Sequence, residues 1–147
     1  MPTFDSTITS DANAAAIENV ITSAIATYET TFTDPINVTI TFGEMTTGLG
    51  ESSTYYESVS YSTYWSHLNS DKTTSSDATA MSFLPHVNRN PVNNRSTINV
   101  KTANARAIGI SANPPAGSTD GTVQVNTLLT DVGMVGFLGP RCFVHPS

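Results

Sequence analysis

Three histidines, one cysteine and a scatter of carboxylates are the side chains here suited to hold a metal or attack a carbonyl. A catalytic zinc needs two or three ligands on a rigid frame, often two His one turn apart on a helix. His67, His86 and His145 are too widely spaced for that. His67 and Asp71 stand four residues apart and would share a helix face, but one such pair arises freely in sequences. It reads as a solvated helix end, where His67 is favourable near a C-terminus. His86 follows Pro85 in a loop and His145 is near the last residue, so both read as surface residues. Cys142 has no partner for an internal disulfide. His145 follows it by three residues, but a nucleophilic thiol needs a base held by a third group, and Cys142 reads as a bystander. No catalytic residue and no metal ligand is assigned.

Weaker signals read the same way. No Gly-x-Ser-x-Gly elbow is present, and Gly48-Leu49-Gly50 leads to Ser53 rather than to the third glycine of a dinucleotide fingerprint. Glu44, Glu51 and Glu57 surround one loop, where paired acids would serve acid–base chemistry or hold calcium. No EF-hand spacing accompanies them, and they read as solvated loop acids. Asn37-Val38-Thr39 and Asn94-Arg95-Ser96 match the glycosylation pattern. Tyr55, Tyr56, Tyr61, Tyr64 and Trp65 would stack on a sugar, but Tyr61, Tyr64, Trp65 and Leu68 have helical spacing that predicts core packing.

Composition narrows the function classes. Charged residues make up 12% of the 147 and the net charge is −6. Ser and Thr together number 40, a hydroxyl-rich surface that predicts an extracellular or secreted protein. The six Lys and Arg residues are dispersed, so no basic stripe exists to neutralise phosphates and nucleic acid is not an expected partner. No run approaches the roughly 20 apolar residues of a membrane span. Met1–Asp5 has neither the basic nor the apolar region of a signal peptide.

The elements that must position any site follow from periodicity. Phe4 to Ile8 alternates and predicts a first strand. Asp11 is placed as an N-cap, and Ile17, Val20, Ile21, Ala24, Ile25 and Tyr28 form one helical stripe that ends before Asp34-Pro35. Ile36, Val38, Ile40 and Phe42 predict a strand with one buried face. Residues 46–53 read as a flexible loop, and Tyr55 to Val59 as a short strand. Ser60 caps a helix through Leu68, and Ser75 or Ser76 caps another ending before Pro85. Ile98 and Val100 mark a strand, Thr102 to Ile108 a helical turn with Gly109 past its end, and Gly121 to Asn126 a further strand. The order predicts an α+β fold: a small mixed sheet with packed helices.

Several segments, in this order, carry a resemblance. They are Phe4-Asp5-Ser6-Thr7-Ile8-Thr9-Ser10-Asp11 before the first helix, Phe42-Gly43-Glu44-Met45, and Gly48-Leu49-Gly50-Glu51-Ser52-Ser53-Thr54. Val59-Ser60-Tyr61-Ser62, Asn99 through Ala107, and Ala112 through Gly117 with Asp120-Gly121-Thr122 follow. The series resembles a family of secreted bacterial metzincin-like zinc metalloproteases over about residues 4 to 130. The resemblance implies that 1–130 is the N-terminal part of a metalloprotease-like domain, an incomplete subdomain, with peptide or protein as the family's substrate and zinc as its metal. In that family an H-E-x-x-H helix follows the Asp-Gly-Thr strand and supplies two ligands and a base. That motif is absent from this sequence, so no zinc is expected on this chain. Residues 131–147 lose both the 3.6 and the 2.0 period, which reads as an irregular, frameshifted or truncated tail. The family also pairs substrate with an edge strand above the metal. Val123, Gln124, Val125 and Asn126 are expected to be that edge strand or its neighbour.

The sequence therefore predicts a truncated or decayed secreted zinc-dependent endopeptidase, inactive as this chain, with self-association through exposed core surface. The alternative is a stand-alone extracellular binding or structural module.

Overall fold

The computed structural model describes residues 2–32 and 34–127. Along the chain run β1 (Pro2–Phe4), α1 (Ser6–Thr9), α2 (Ala14–Glu29), β2 (Ile40–Met45), β3 (Gly50–Thr54) and β4 (Tyr56–Ser60). There follow α3 (Tyr61–Asp71), α4 (Ser75–Phe83), β5 (Thr97–Lys101), α5 (Thr102–Ala107) and β6 (Gly121–Asn126). This is a mixed α+β structure with a small sheet and several helices. The described residues form two compact units: 2–32, 39–53 and 121–127 in the first, 34–38 and 54–120 in the second.

The first unit is built on a four-stranded sheet in the order β1-β2-β6-β3. β1 and β6 both run parallel to β2. β3 runs the other way against β6: Asn126 N–H donates to the Leu49 carbonyl (3.1 Å), and at the far end Ser53 Oγ meets Thr122 Oγ1 (2.8 Å). Side chains alternate between the faces of a sheet. Register therefore puts Thr3, Thr41, Thr122 and Ser53 in one hydroxyl row across all four strands, with Thr3 and Thr41 bonded at 3.0 Å. Phe4, Phe42 and Val123 lie side by side on the opposite face, the two rings 6.1 Å apart.

Asp5 corrects the expected strand from Phe4 to Ile8. Its carboxylate accepts from Thr7 N–H (2.9 Å), which caps α1 and stops β1 at Phe4. Ile8 on that short helix is buried. The helical stripe appears as α2, but Asn13 takes the N-cap position and Asp11 instead turns the chain before it, accepting from Asn13 N–H (2.6 Å). No α2 residue is buried: Ile17, Ile21 and Ile25 are half-covered, and Val20 and Tyr28 are exposed.

Two further expectations shift. Half of the predicted loop 46–53 is strand β3. The strand expected from Ile36 begins only at Ile40. The Asn37 carbonyl is taken by the Arg106 guanidinium (2.8 Å), so residues 34–38 join the second unit instead of a sheet.

In the second unit β4 and β5 pair antiparallel, from Tyr56 opposite Lys101 to Ser60 opposite Thr97. Val100, Ala105, Ile110 and Ala112 form its core, with Val59, Tyr64, Ile98 and Ile108 packed against them. α3 starts where expected because Ser60 Oγ accepts from Thr63 N–H (3.0 Å). α4 is capped by Thr74, one residue before the expected serine. Thr74 accepts from Asp77 N–H while Asp77 reaches back to Thr74 N–H, a closed capping box. Tyr61 is buried with its hydroxyl on the Pro85 carbonyl (3.3 Å), and Trp65 Nε1 donates to the Leu84 carbonyl (3.0 Å).

Candidate functional site: the open edge of the sheet

Val123, Gln124, Val125 and Asn126 belong to β6, which lies between β2 and β3. Its main chain is paired on both sides, so of the two expected positions, edge strand or neighbour, β6 takes the inner one, and β3 is the edge. Asn126 is buried and occupied, its Nδ2 donating to the Gly48 carbonyl (2.6 Å) and its N–H to Leu49. These two bonds hold the turn that delivers the chain into β3.

The register decides which way β3 points its peptide groups. Leu49 and Tyr55 bond toward Asn126 and Asp120 respectively, so residues 49, 51, 53 and 55 face the neighbouring chain. In an antiparallel ladder the alternate residues then direct N–H and C=O away from it. Gly50 and Ser52 are those residues in the first unit. All five residues of β3 are exposed, and among the described residues only β6 pairs with it. Gly50 is required by close approach: a β-carbon there would sit 2.9 Å from the Gln124 carbonyl oxygen. Such an edge is a template for one more strand.

The acids expected around one loop are not brought together. Glu51 lies on β3, in register with Gln124 and on the hydroxyl face. Glu44 lies on β2 in register with Val125, on the opposite face. Glu57 sits on β4 of the second unit, opposite Val100. Burial, with the negative charges of Asp11 and Asp5 adding to it, pushes the Glu44 carboxyl above its ordinary range. Its N–H is held by Thr7 Oγ1 (2.7 Å), and Thr7 Oγ1 bonds in turn to Asp5. Gly43 makes room for this arrangement, since a β-carbon there would overlap the Asp5 carboxylate.

The histidines are engaged elsewhere. His67 Nδ1 bonds to the Ile108 carbonyl (3.1 Å), and His86 stacks flat on Trp65 at 3.8 Å. Among the described residues no three His, Cys, Asp or Glu side chains come together as a metal-ligand set. Cys142, His145 and the predicted tail 131–147 lie outside the described residues. No helix among the described residues is long and apolar enough to cross a membrane. Asn37 and Asn94 of the two sequons are exposed, Asn94 with a left-handed φ of 56°.

One group escaped the sequence reading. Arg106 pairs with Asp120 (2.8 Å) and donates to the Ala112 and Asn37 carbonyls, while Thr102 Oγ1 donates to the same Asp120 oxygen (2.9 Å). Asp120 and Thr102 are buried. Spacings of 4 and 14 residues carry no periodic signal, so nothing in the sequence marks the triad.

Comparison with family models, with curated proteins and with solved structures gives no match to this chain.

Proposed function

We propose that this chain is the substrate-holding part of a secreted zinc-dependent endopeptidase scaffold, without hydrolytic activity of its own. It binds extended peptide by adding it as a strand to β3. The observation that carries this reading is the exposed edge, with the peptide groups of Gly50 and Ser52 directed outward. The hydroxyl-rich composition supports an extracellular setting. Hydrolysis by the family's route needs two imidazoles and a glutamate on one helix, and the sequence has no H-E-x-x-H.

A direct test uses the purified chain with added zinc. The reading expects no casein cleavage and no stoichiometric zinc, together with saturable binding of an extended peptide. Chelator-sensitive cleavage would contradict it. The second reading, a stand-alone extracellular binding module, is favoured by the second unit's own apolar core. Translating the DNA beyond codon 130 in all frames separates the two, because an H-E-x-x-H within a few dozen codons belongs only to the first.

A further inference from the structure

The charge of the first unit says what kind of peptide its edge takes. Its described residues carry Asp5, Asp11, Glu18, Glu29, Glu44 and Glu51 and no Lys, Arg or His. In the second unit five Lys and Arg residues balance five carboxylates. Among the described residues the whole negative excess therefore belongs to the unit that owns the edge. Glu51 is the acid on the edge strand itself. It is exposed, and among the described residues no cation pairs with it; the salt bridge found is Arg106–Asp120 in the other unit.

We infer that the occupant of β3 is a cationic extended peptide, with Lys or Arg at alternate positions. The inference rests on the proposed role of β3 as a peptide-binding edge. The peptide's main chain bonds to Gly50 and Ser52, and this is independent of its sequence. Selection comes from the residue placed beside Glu51. Opposite charges directly across a strand pair stabilise it and like charges oppose it. The other carboxylates of the unit give it a net negative charge whose longer-range field speeds encounter with cations and is screened by salt. The same field disfavours a second copy of this acidic unit at the edge.

Fluorescence anisotropy of the full chain with labelled, end-blocked peptides of alternating Thr-Lys, Thr-Gln and Thr-Glu tests this. The Thr-Lys peptide is expected to bind about tenfold more tightly than Thr-Gln, with the difference shrinking in salt, and Thr-Glu not at all. Glu51→Lys reverses the order, and Glu51→Gln lies between. Ser52→Pro removes one outward N–H at a position where an edge strand tolerates proline, and abolishes binding of every peptide. Circular dichroism confirms that each variant is folded. Equal binding of all three peptides, unchanged by Glu51→Lys, overturns the inference and leaves the edge-binding reading standing. Thr-Lys binding that survives Ser52→Pro also overturns it, since attraction is then not at the edge. Binding of none of the peptides overturns the reading and the inference together.

Discussion

The two units solve the same folding problem with different means. The second holds a core of Val100, Ala105, Ile110 and Ala112, a buried Tyr61 and Met81, and an ion pair that ties residues 37, 106, 112 and 120 together. Ile8 is the one buried apolar side chain among the described residues of the first, whose helix α2 keeps half its stripe in contact with water. Stability follows apolar burial, at about 25 cal/mol per Å². The second unit is therefore the more stable of the two. The first is a surface: an open strand edge, apolar residues on one sheet face and a hydroxyl row on the other. Regions that bind tend to be drawn from the less stable end of a protein.

The largest expected effect lies in the ion pair. Arg106→Met leaves Asp120 buried without its cation and two carbonyls without donors. Breaking a buried pair in this way costs about 3–5 kcal/mol, measurable by urea unfolding followed through Trp65. An effect below about 1 kcal/mol would remove the ion pair from what stabilises the second unit.

Matched truncations sharpen the contrast. Ile110→Ala removes a buried side chain (7% exposed) and is expected to cost about 2–4 kcal/mol. Val20→Ala on α2 (43% exposed) is expected to stay within about 0.5 kcal/mol. Equal costs in thermal unfolding would break the comparison. Val20→Lys should also reduce self-association in analytical ultracentrifugation. Thr74→Ala, which opens the capping box of α4, is expected to cost about 1 kcal/mol.

The smallest effect is one of pH, and the two units respond in opposite senses. The Glu44 carboxyl is raised above 4.5 by burial and by its acidic neighbours. Its ionised form is therefore disfavoured in the folded state. The first unit gains stability as pH falls through the raised value toward 4.5, and Glu44→Gln should raise neutral-pH stability and flatten that gain. The Asp77 carboxyl is held below 3.8 by the Thr74 and Thr73 amides. Its contribution is complete above 3.8 and is lost as pH falls through the lowered value. Exchange rates of α4 amides and of β2 amides between pH 7 and 3 read the two separately.

What the sequence made legible divides along the same line. α3, β5, α5 and β6 were readable because hydrophobic period and caps agreed there: Ser60 before Tyr61, Gly109 after the last turn with φ of +80°. β3 was hidden because Gly-Glu-Ser-Ser-Thr has no apolar alternation. It is strand only by pairing with β6, a tertiary effect that propensity does not contain. The start of β2 was misplaced because Ile36 and Val38 alternate correctly, while a distant guanidinium claims the carbonyl between them. Of the two positions left open for Val123 to Asn126, the inner one is taken. Val123 to Asn126 carry the apolar pattern of a buried strand, and the edge beside them is written in small polar residues.

Hydrogen exchange with residue resolution, on the chain alone and with a saturating Thr-Lys peptide, tests the central claim most directly. β5 amides such as Val100 should exchange slowly in both states. That of Ser52 should exchange fast in the free chain and slow sharply when peptide is bound. Peptide-independent exchange at Ser52, or β2 and β6 amides slower than β5, would contradict a first unit with an open edge and a more stable second unit.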